Sequence, residues 1–250
     1  MLTGLVPEAV LTAEEFGDIP DAWIFPEEAA VLSRAVDRRR REFATVRHCA
    51  RLALTDLGRP AGPMVPGERG APVWPEGVVG SMTHCDGYRA AAVSRRIDVA
   101  ALGIDAEPHA PLPPGLLRRI ASPSERDRLS ALRHARPSLH WERVFFSAKE
   151  SVYKAWFPLT GSWLDFREAE LVLDPYRQTF RARLLRTGHD HEGRVLHTLR
   201  GRWRVGRGLV VTAVVHRSPA LVPVGSGAAG GASGSPARRA STGQGVLDTP

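Results

Sequence analysis

Two lysines and a glutamate on one short segment have the residue types and spacing of a phosphate-handling site. Lys149 and Lys154 flank Glu150 in the segment FSAKESVYKAW. They are the two lysines of the chain, and its remaining strongly basic residues are arginines. A chain so biased toward arginine uses it at ordinary surface positions. The two lysines therefore indicate a compact ammonium beside a phosphate or a carboxylate. The alternative is an ordinary helix face on which Glu150 and Lys154 form an i, i+4 pair.

Asp105 and Glu107 form a second candidate group, at the end of the apolar segment 102–108. Because side chains alternate along a strand, both carboxylates lie on the same face. Like charges so close repel, and a divalent cation relieves that repulsion. Oxygen ligands favour Mg²⁺, which completes its shell with water and substrate phosphate. With Glu150 as third carboxylate and lysines beside it, the pattern fits a metal-bridged pyrophosphate; a solvated turn is the alternative.

The segment Gly80–Gly87 is a strand end that runs into a turn bounded by glycine. Thr83 and His84 are placed there to donate hydrogen bonds to phosphate oxygens. A local cap and a turn histidine would explain the same residues. Cys85 is disfavoured as a nucleophile, because adjacent strand residues point apart and no orienting base is evident.

The elements that must position these groups follow a similar order in each half of the chain. In the first half, helices are predicted from Pro26 and over 41–57, and a long Pro- and Gly-rich loop follows over 60–75. Three strand signals then predict an antiparallel meander: 78–82, 89–93 and 99–105.

The second half again begins with helices and ends with strands. Short helices are predicted from Gly115 and Ser124, and the longest helical pattern runs over 138–156 until Pro158 stops it. Four strand signals follow: 169–173, 179–185, 201–205 and 209–215. From Pro219 the composition changes to Gly, Ala, Ser and Pro, which predicts a disordered tail.

Composition and charge exclude several classes of protein. The 250 residues are 43% hydrophobic and 24% charged, as in a globular protein of one or two modest domains, and no apolar run is long enough for a membrane span. The first residues do not resemble a secretory signal. Cys49 and Cys85 are too few for a disulfide framework or a zinc site, so a reducing cytoplasm is the expected location.

The net charge of +7 predicts an anionic partner. Nucleic acid is disfavoured, because the arginines are scattered and none of their runs is interleaved with aromatic residues for base stacking. The densest run, 38–41, is interpreted as a solvated helix face. A small anionic molecule or an acidic protein explains the charge equally well.

Two segments together resemble the signature motifs of one enzyme family. Gly103–Glu107 (GIDAE) and Phe146–Lys154 (FSAKESVYK) are similar to those of 4′-phosphopantetheinyl transferases of the large, surfactin-synthetase-activating type. Three further segments resemble the actinobacterial branch of that family: 42–51, 69–75 and 80–85. The likeness covers most of 38–156 and extends through 201–215, with the tail outside it.

The resemblance implies both a reaction and a fold. Such enzymes move the phosphopantetheine arm of coenzyme A to a serine of an acyl or peptidyl carrier protein and release adenosine 3′,5′-bisphosphate. The implied fold class is α+β, with two similar α/β halves related by a pseudo-twofold axis, antiparallel strands and a long helix in each half. The expected halves are 1–103 and 104–218, followed by the tail 219–250. The expected protein is a cytoplasmic monomer that binds neither nucleic acid nor membrane.

The resemblance also implies roles for particular residues. Coenzyme A would lie in the cleft between the halves. Asp105 and Glu107 would come from one half, and Glu150, Lys149 and Lys154 on the long helix would come from the other. Mg²⁺, or alternatively Mn²⁺, would be held by Asp105, Glu107 and Glu150. Catalysis would depend on Glu150 as the base, together with Lys154 and Asp105. Contacts to the phosphates of coenzyme A would come from Arg47, Arg51, Arg69, Thr83, His84, Lys149 and Lys154. The family often has lysine where this chain has Arg69.

Two other function classes remain open at this point. A basic nucleic-acid-binding module would show a salt-dependent gel shift without any effect of coenzyme A. Another Mg²⁺-dependent enzyme with the same three acids, a phosphodiesterase or nucleotide hydrolase, would release product from coenzyme A without a carrier protein. Neither accounts for both signature segments together.

Overall fold

A computed structural model describes residues Met1–Ser218, which form one compact unit; the tail predicted at 219–250 lies outside the described residues. Within the described range, no helix is both long and apolar enough to cross a membrane. The strands are β1 (Leu11–Glu15), β2 (Val78–Cys85), β3 (Tyr88–Arg95), β4 (Val99–Pro108), β5 (Ala169–Asp174), β6 (Thr179–Leu184), β7 (Thr198–Gly206) and β8 (Leu209–Arg217). The α-helices are α1 (Pro26–Val31), α2 (Asp37–Asp56), α3 (Leu116–Ile120), α4 (Pro123–Ala135) and α5 (Trp141–Thr160).

The first sheet has three antiparallel strands in the order β1-β3-β2, and α2 packs against it. Apolar side chains spaced along one face of α2, such as Cys49 and Leu54, meet Ala91 and Val93 of the sheet. The predicted β2 and β3 are confirmed. The short edge strand β1 has no clear alternation of apolar and polar residues and was not predicted from the sequence.

The second sheet has five antiparallel strands in the order β4-β8-β7-β6-β5. The apolar stripe of α5, including Trp141, Phe145 and Trp156, is buried against one face of this sheet. The prediction that Pro158 stops the helix is wrong. Pro158 lies in the last turn of α5, and the helix ends two residues later, before Gly161, which has a positive φ of 63°.

The predicted three-stranded meander is wrong for β4, which pairs with β8 instead of β3 among the described strands. The opposite edge of β4 lies beside β2, and two hydroxyls join the sheets. The Ser81 Oγ accepts a hydrogen bond of 3.0 Å from the amide of Ile104, and the Thr83 Oγ1 accepts one of 3.0 Å from the amide of Ala106. These side chains satisfy backbone amides that a strand ladder would otherwise need to satisfy.

The two faces of the second sheet are covered differently. One face carries α4 and α5. On the other face, the first half covers β4 and β8, where Leu102 and Val211 pack with Leu2, Leu5 and Val79. It also reaches the end of β7, where Arg204 donates to the carbonyl oxygen of Met1. The outer strands β5, β6 and β7 present charged, exposed residues on that face.

Candidate active site

The strand β4 and the helix α5 approach each other closely because residue 103 is glycine. A Cβ at Gly103 would lie 2.0 Å from the carbonyl oxygen of Ser151 and 2.6 Å from the amide nitrogen of Ala155. Any larger residue would push the helix away from the strand. The close contact lets Lys154 reach across to Asp105, with the Nζ 2.8 Å from the Oδ1.

Asp105 is a buried carboxylate with one oxygen paired and one unpaired. Its Oδ1 bonds Lys154, and the Thr83 Oγ1 lies 3.5 Å away. Its Oδ2 is buried and has no hydrogen-bond partner among the described residues. The aspartate side chain is 7% exposed, whereas that of Lys154 is 29% exposed. A buried carboxylate oxygen without a partner is costly, so this position is suited to a positively charged group.

Glu107 follows on the same face of β4 and is held by an arginine that the sequence interpretation did not include. The Arg143 Nη1 lies 2.8 Å from the Glu107 Oε2, and the same guanidinium donates to the carbonyl oxygens of Ala110 and Pro111. Burial raises the pKa of Glu107, and the neighbouring Asp105 carboxylate raises it further. Arg143 acts in the opposite direction.

Glu150 lies on α5 near both strand carboxylates. Its pKa is raised, first by burial and then by the charge of Asp105, with a further contribution from Glu107; Lys154 partly offsets these effects. The mutual repulsion shows that the three acids lie within electrostatic range of one another. All three belong to the five-stranded half, because β4 is part of that sheet. The expectation that they come from opposite halves is therefore wrong.

The three acids are chemically suited to bind a divalent metal ion, but their carboxylates are not arranged around a common point. Among residues Met1–Ser218, no three His, Cys, Asp or Glu side chains are arranged so that they could hold a metal ion. Two of the carboxylates are turned toward Lys154 and Arg143. The partnerless Asp105 Oδ2 and the raised pKa values of Glu107 and Glu150 nevertheless show a surplus of negative charge. The donor set therefore fits a hard cation such as Mg²⁺.

His84 lies at the end of β2 in a network of charged groups from α2. Its Nε2 is 2.5 Å from the Arg39 Nη1 and 3.6 Å from the Glu42 Oε2. Burial and the Arg39 charge lower the pKa of His84 to about 4. The ring is therefore neutral at pH 7. Because arginine can only donate, Nε2 accepts and the proton lies on Nδ1, which remains able to donate to a ligand.

A cavity of about 610 Å³ opens between the two halves beside these groups. The loop around Arg69 and the strand β2 line one side, and Glu150, Tyr153 and Lys154 line the other. The exposed Arg69 guanidinium lies 5.6 Å from the ring centre of Trp163. Its residue has a positive φ of 53°, so the loop turns sharply at that point. The volume is typical of a site for a small organic ligand.

Lys149 does not face this cavity as a free cation, and its interpretation as a phosphate contact needs correction. Its side chain is 1% exposed, and its Nζ lies 2.9 Å from the Glu125 Oε1. The same ammonium donates to the carbonyl oxygens of Phe166 and Ala169, at 2.6 Å and 2.5 Å. All three of its hydrogens are used, so none is left for a phosphate. Lys149 instead ties α5 to α4 and to the start of β5.

Arg47 and Arg51 are also engaged inside the protein, around a glutamate that the sequence interpretation missed. Glu28 is fully buried, and its carboxylate lies 3.6 Å from the Arg47 Nε and 3.2 Å from the Arg51 Nη1. Burial lowers the pKa of Arg47 to about 10. Arg51 also stacks on Trp23. In this arrangement both arginines stabilise the packing of α1 on α2, and both are buried away from a nucleotide in the cavity.

The structure thus places Arg69, Glu150 and Lys154 in the wall of the cavity. Asp105, Glu107, Thr83 and His84 lie beside Lys154, next to the cavity but outside its lining. Lys149, Arg47 and Arg51 are in buried ion pairs. Thr83 bonds backbone and Asp105 and is 3% exposed. Two functional residues were not predicted from the sequence, Arg143 and Glu28. Arg143 could have been predicted, because it lies two turns before Glu150 on the same helix and therefore on the same face. Glu28 could not, because its partners are distant in sequence.

Two family models match the chain over adjacent stretches. The model described as the 4′-phosphopantetheinyl transferase N-terminal domain matches residues 27–94, which contain α2, β2 and nearly all of α1 and β3. The model described as the 4′-phosphopantetheinyl transferase superfamily matches residues 101–213, which contain nearly all of the second sheet and α5. The gap between the two matches coincides with the turn between β3 and β4, where the chain passes from one sheet to the other.

Curated relatives match over most of their length. The 4′-phosphopantetheinyl transferase Svp of Streptomyces mobaraensis is 57% identical over 223 residues, which are 88% of this chain and 91% of that protein. The 4′-phosphopantetheinyl transferase PptT of Mycobacterium tuberculosis is 48% identical over 219 residues, covering 86% and 96%. The 4′-phosphopantetheinyl transferase Npt of Nocardia iowensis is 44% identical over 224 residues, covering 86% and 100%.

Proposed function

This chain belongs to the 4′-phosphopantetheinyl transferase superfamily, and we propose that its cleft transfers the phosphopantetheine arm of coenzyme A to a serine of acyl and peptidyl carrier proteins. Transfer of phosphopantetheine is the activity for which its relatives are named. The observation that carries the proposal is the cluster of Asp105, Glu107 and Glu150 beside Lys154, at the edge of a cavity of about 610 Å³.

The three acids are the proposed ligands of a divalent ion. Asp105 through its partnerless Oδ2, Glu107 and Glu150 would hold Mg²⁺, or alternatively Mn²⁺. When bound, the ion supplies positive charge that offsets the pyrophosphate charge and the negative charge that develops during transfer. Arg143 orients Glu107 through a guanidinium that is itself fixed by two carbonyl oxygens.

Lys154 is the cation that we assign to the pyrophosphate. Its ammonium uses one hydrogen on Asp105 and, among the contacts of the described residues, keeps two for a ligand. Its partial exposure allows the flexible stem to follow a phosphate oxygen. Arg69 and the Nδ1–H of His84 are the proposed contacts to the other phosphates of the nucleotide.

Glu150 is the proposed general base. A carboxylate with a raised pKa accepts a proton more readily than an ordinary one, provided that it is ionised at the working pH. It would take the proton from the serine hydroxyl as the serine oxygen forms its bond to the phosphorus of the phosphopantetheine. The bond from that phosphorus to the bridging oxygen breaks, and adenosine 3′,5′-bisphosphate leaves with that oxygen.

The same proposal includes the state and location of the enzyme. Both sides of the cleft come from one chain, so a monomer suffices for activity. We place the boundary between the halves in the turn between β3 and β4 instead of at residue 103, which lies inside β4. We assign the reaction to the cytoplasm and assign no nucleic-acid or membrane partner.

Mass spectrometry of an apo carrier protein tests the function directly. Incubation with this chain, coenzyme A and Mg²⁺ is expected to add about 340 Da, the mass of the transferred arm, to the carrier. Chelation of the metal with EDTA is expected to stop the gain, and Mn²⁺ to restore it. Release of adenosine 3′,5′-bisphosphate without a carrier would instead indicate a hydrolase, and an unmodified carrier would overturn the proposal.

A further inference from the structure

The uncovered face of the second sheet carries a groove lined by five arginines, which we call the arginine groove. They come from three neighbouring strands and one turn, and all are exposed: Arg177, Arg181, Arg200, Arg202 and Arg217. The groove lies on the face of the sheet opposite to α5, away from the cavity between the halves. The transfer reaction uses none of these residues.

Acidic side chains offset little of the positive charge of the groove: among the five arginines, only the charge of Arg177 contributes to the lowered pKa of Asp174. Within Met1–Ser218, none of the five guanidiniums is paired with a carboxylate in the ion pairs of the structure. Asp174 is the one acid that lines the groove, and it accepts hydrogen bonds from the backbone amides of Tyr176 and Arg177. The contrast with Arg183 is direct. It lies two residues beyond Arg181 on β6, and its Nη2 lies 2.5 Å from the Glu170 Oε2.

Two of these arginines oppose each other in the sheet. Arg181 of β6 and Arg200 of β7 are partners in the antiparallel register. Directly opposed side chains have Cβ atoms about 4.5–5.5 Å apart, and like charges at that distance destabilise a sheet. Arg202 lies on the same face, two residues along β7. The fold therefore carries a repulsion that an anion in the groove would remove.

The shape of the groove limits the size of its occupant. Leu5, Val6 and Pro7 line it where the first half covers β4 and β8, and Val172 and Asp174 of the edge strand β5 line it elsewhere. Its volume is about 590 Å³, which is within the usual range for small-molecule sites. The groove is thus bounded on its two sides and has an apolar wall for the uncharged part of a ligand.

We propose that the arginine groove binds a small molecule that carries two or more phosphate groups, at a site separate from the catalytic cleft. Each terminal phosphate group brings a charge of about −1.5 to −2, so two of them match the net charge of five guanidiniums and one carboxylate. Arginine forks bind phosphate oxygens through paired hydrogen bonds.

Other anions match the groove less well. An extended acidic peptide presents carboxylates on one face only about every 7 Å, which leaves most of the charge in this short groove unmatched. Bases of nucleic acid lack a stacking surface, because Phe180, the only aromatic residue within Met1–Ser218 that lines the groove, is 3% exposed. The segment 219–250 has one acid, Asp248, against two arginines, so its charge is also unsuitable.

Calorimetric titration of the full chain with sodium tripolyphosphate, without metal, tests the proposal. We expect the double variant Arg181→Gln/Arg200→Gln to bind at least ~10-fold more weakly, because two charge-assisted contacts are lost. A matched control, Arg34→Gln/Arg119→Gln, removes the same charge from exposed positions outside the groove and should bind within about twofold of the unaltered chain. Lys154→Ala should retain this binding event, because its change lies in the catalytic cleft.

Thermal unfolding provides a second readout that does not depend on catalysis. Without phosphate, the groove double variant should melt at or slightly above the unaltered chain, because the opposed charges are gone. With tripolyphosphate, the chains with an intact groove should gain more melting temperature than the groove double variant, in which only the catalytic cleft can still bind the anion. The rate of carrier modification should be the same in both double variants.

The outcomes divide clearly. Equal binding of tripolyphosphate and ATP would support recognition of the phosphate chain alone, and tighter binding of ATP would support a nucleotide as the ligand. Unchanged tripolyphosphate binding in the groove variant, or loss of all binding in Lys154→Ala, would overturn the proposal. So would variant-sensitive binding of a poly-glutamate peptide or an oligonucleotide in the absence of tripolyphosphate binding.

Discussion

The catalytic cleft and the arginine groove treat charge in opposite ways. In the cleft, Asp105 is buried and Glu107 is half-buried, and each has a cation at 2.8 Å. In the groove, five exposed arginines have no such partner among the described residues. Burial makes an unpaired charge very costly, whereas water screens an exposed one.

The charge that remains uncompensated in each region therefore indicates which ligand the region can bind. In the cleft, the three carboxylates outnumber the two cations that pair with them, Lys154 and Arg143, and the groove holds several cations more than its single acid. The first suits a metal ion, and the second suits a polyanion.

The largest expected effect comes from breaking the most deeply buried of the compensated pairs. Lys149→Met should lower the free energy of unfolding by about 3–5 kcal/mol, because it leaves Glu125 buried without its cation. Guanidinium-induced unfolding measures the change. The double variant Lys149→Met/Glu125→Gln should recover part of the loss. A single variant as stable as the unaltered chain would show that the buried pair is not needed.

Removal of the central carboxylate should affect catalysis more than stability. Asp105→Asn is expected to slow carrier modification by about 10²–10³, since it removes a charge that acts on the phosphates. Asp127→Asn, at an exposed position outside the cleft, is the control and should keep the normal rate. Mass spectrometry of the carrier protein over time measures the transfer rate of each variant. Normal transfer by Asp105→Asn would remove this residue from the mechanism.

Glu150→Gln should separate activity from stability. The pKa of Glu150 is raised in the folded protein, so ionisation costs stability as the pH rises from about 4.5 through the folded value. Glutamine does not ionise, so the variant should lose transfer but melt at a higher temperature at pH 7.5. The gain should vanish near pH 4, where the glutamate is protonated in both states.

Glu8→Gln, which changes an exposed glutamate far along the chain from the cleft, is the control for that comparison and should show no such gain. Melting curves between pH 4 and pH 8 provide the test. If Glu150→Gln melted lower than the unaltered chain at pH 7.5, the carboxylate would be stabilising, and the charge surplus of the cleft would need another explanation.

The smallest expected effect is in the groove. Replacing one member of the opposed pair, as in Arg200→Gln, should raise the free energy of unfolding by only about 0.2–1 kcal/mol in phosphate-free buffer, because the charges are exposed and screened. Added salt should reduce the difference. Arg183→Gln is the opposite case: it breaks a pair with Glu170 and should lower stability by a similar amount. If both variants changed the free energy of unfolding in the same direction, Arg200 could not be the unpaired and Arg183 the paired arginine of this sheet.

The sequence predicts the parts of the fold that depend on a local pattern of apolar and polar residues. The apolar stripe of α5 and the alternation in β6 depend on residues near each other in the chain. The pairing of β4 with β8 was not readable, because their sequences are as compatible with β4 beside β3. The choice is made by the helix α5 and by the hydroxyls of Ser81 and Thr83, which together occupy the space around β4.

The sequence by itself determined the types and order of the catalytic groups: two acids on one strand face, and a glutamate followed by a lysine one turn later on a helix. The tertiary structure alone decided which cation meets which anion. Lys149 and Lys154 look alike in the sequence, yet one is buried on Glu125 and the other meets Asp105. The physical reason is that ion pairs depend on distances of a few ångströms between elements far apart in the chain. Local spacing specifies the face of a helix or strand but does not specify what packs against it.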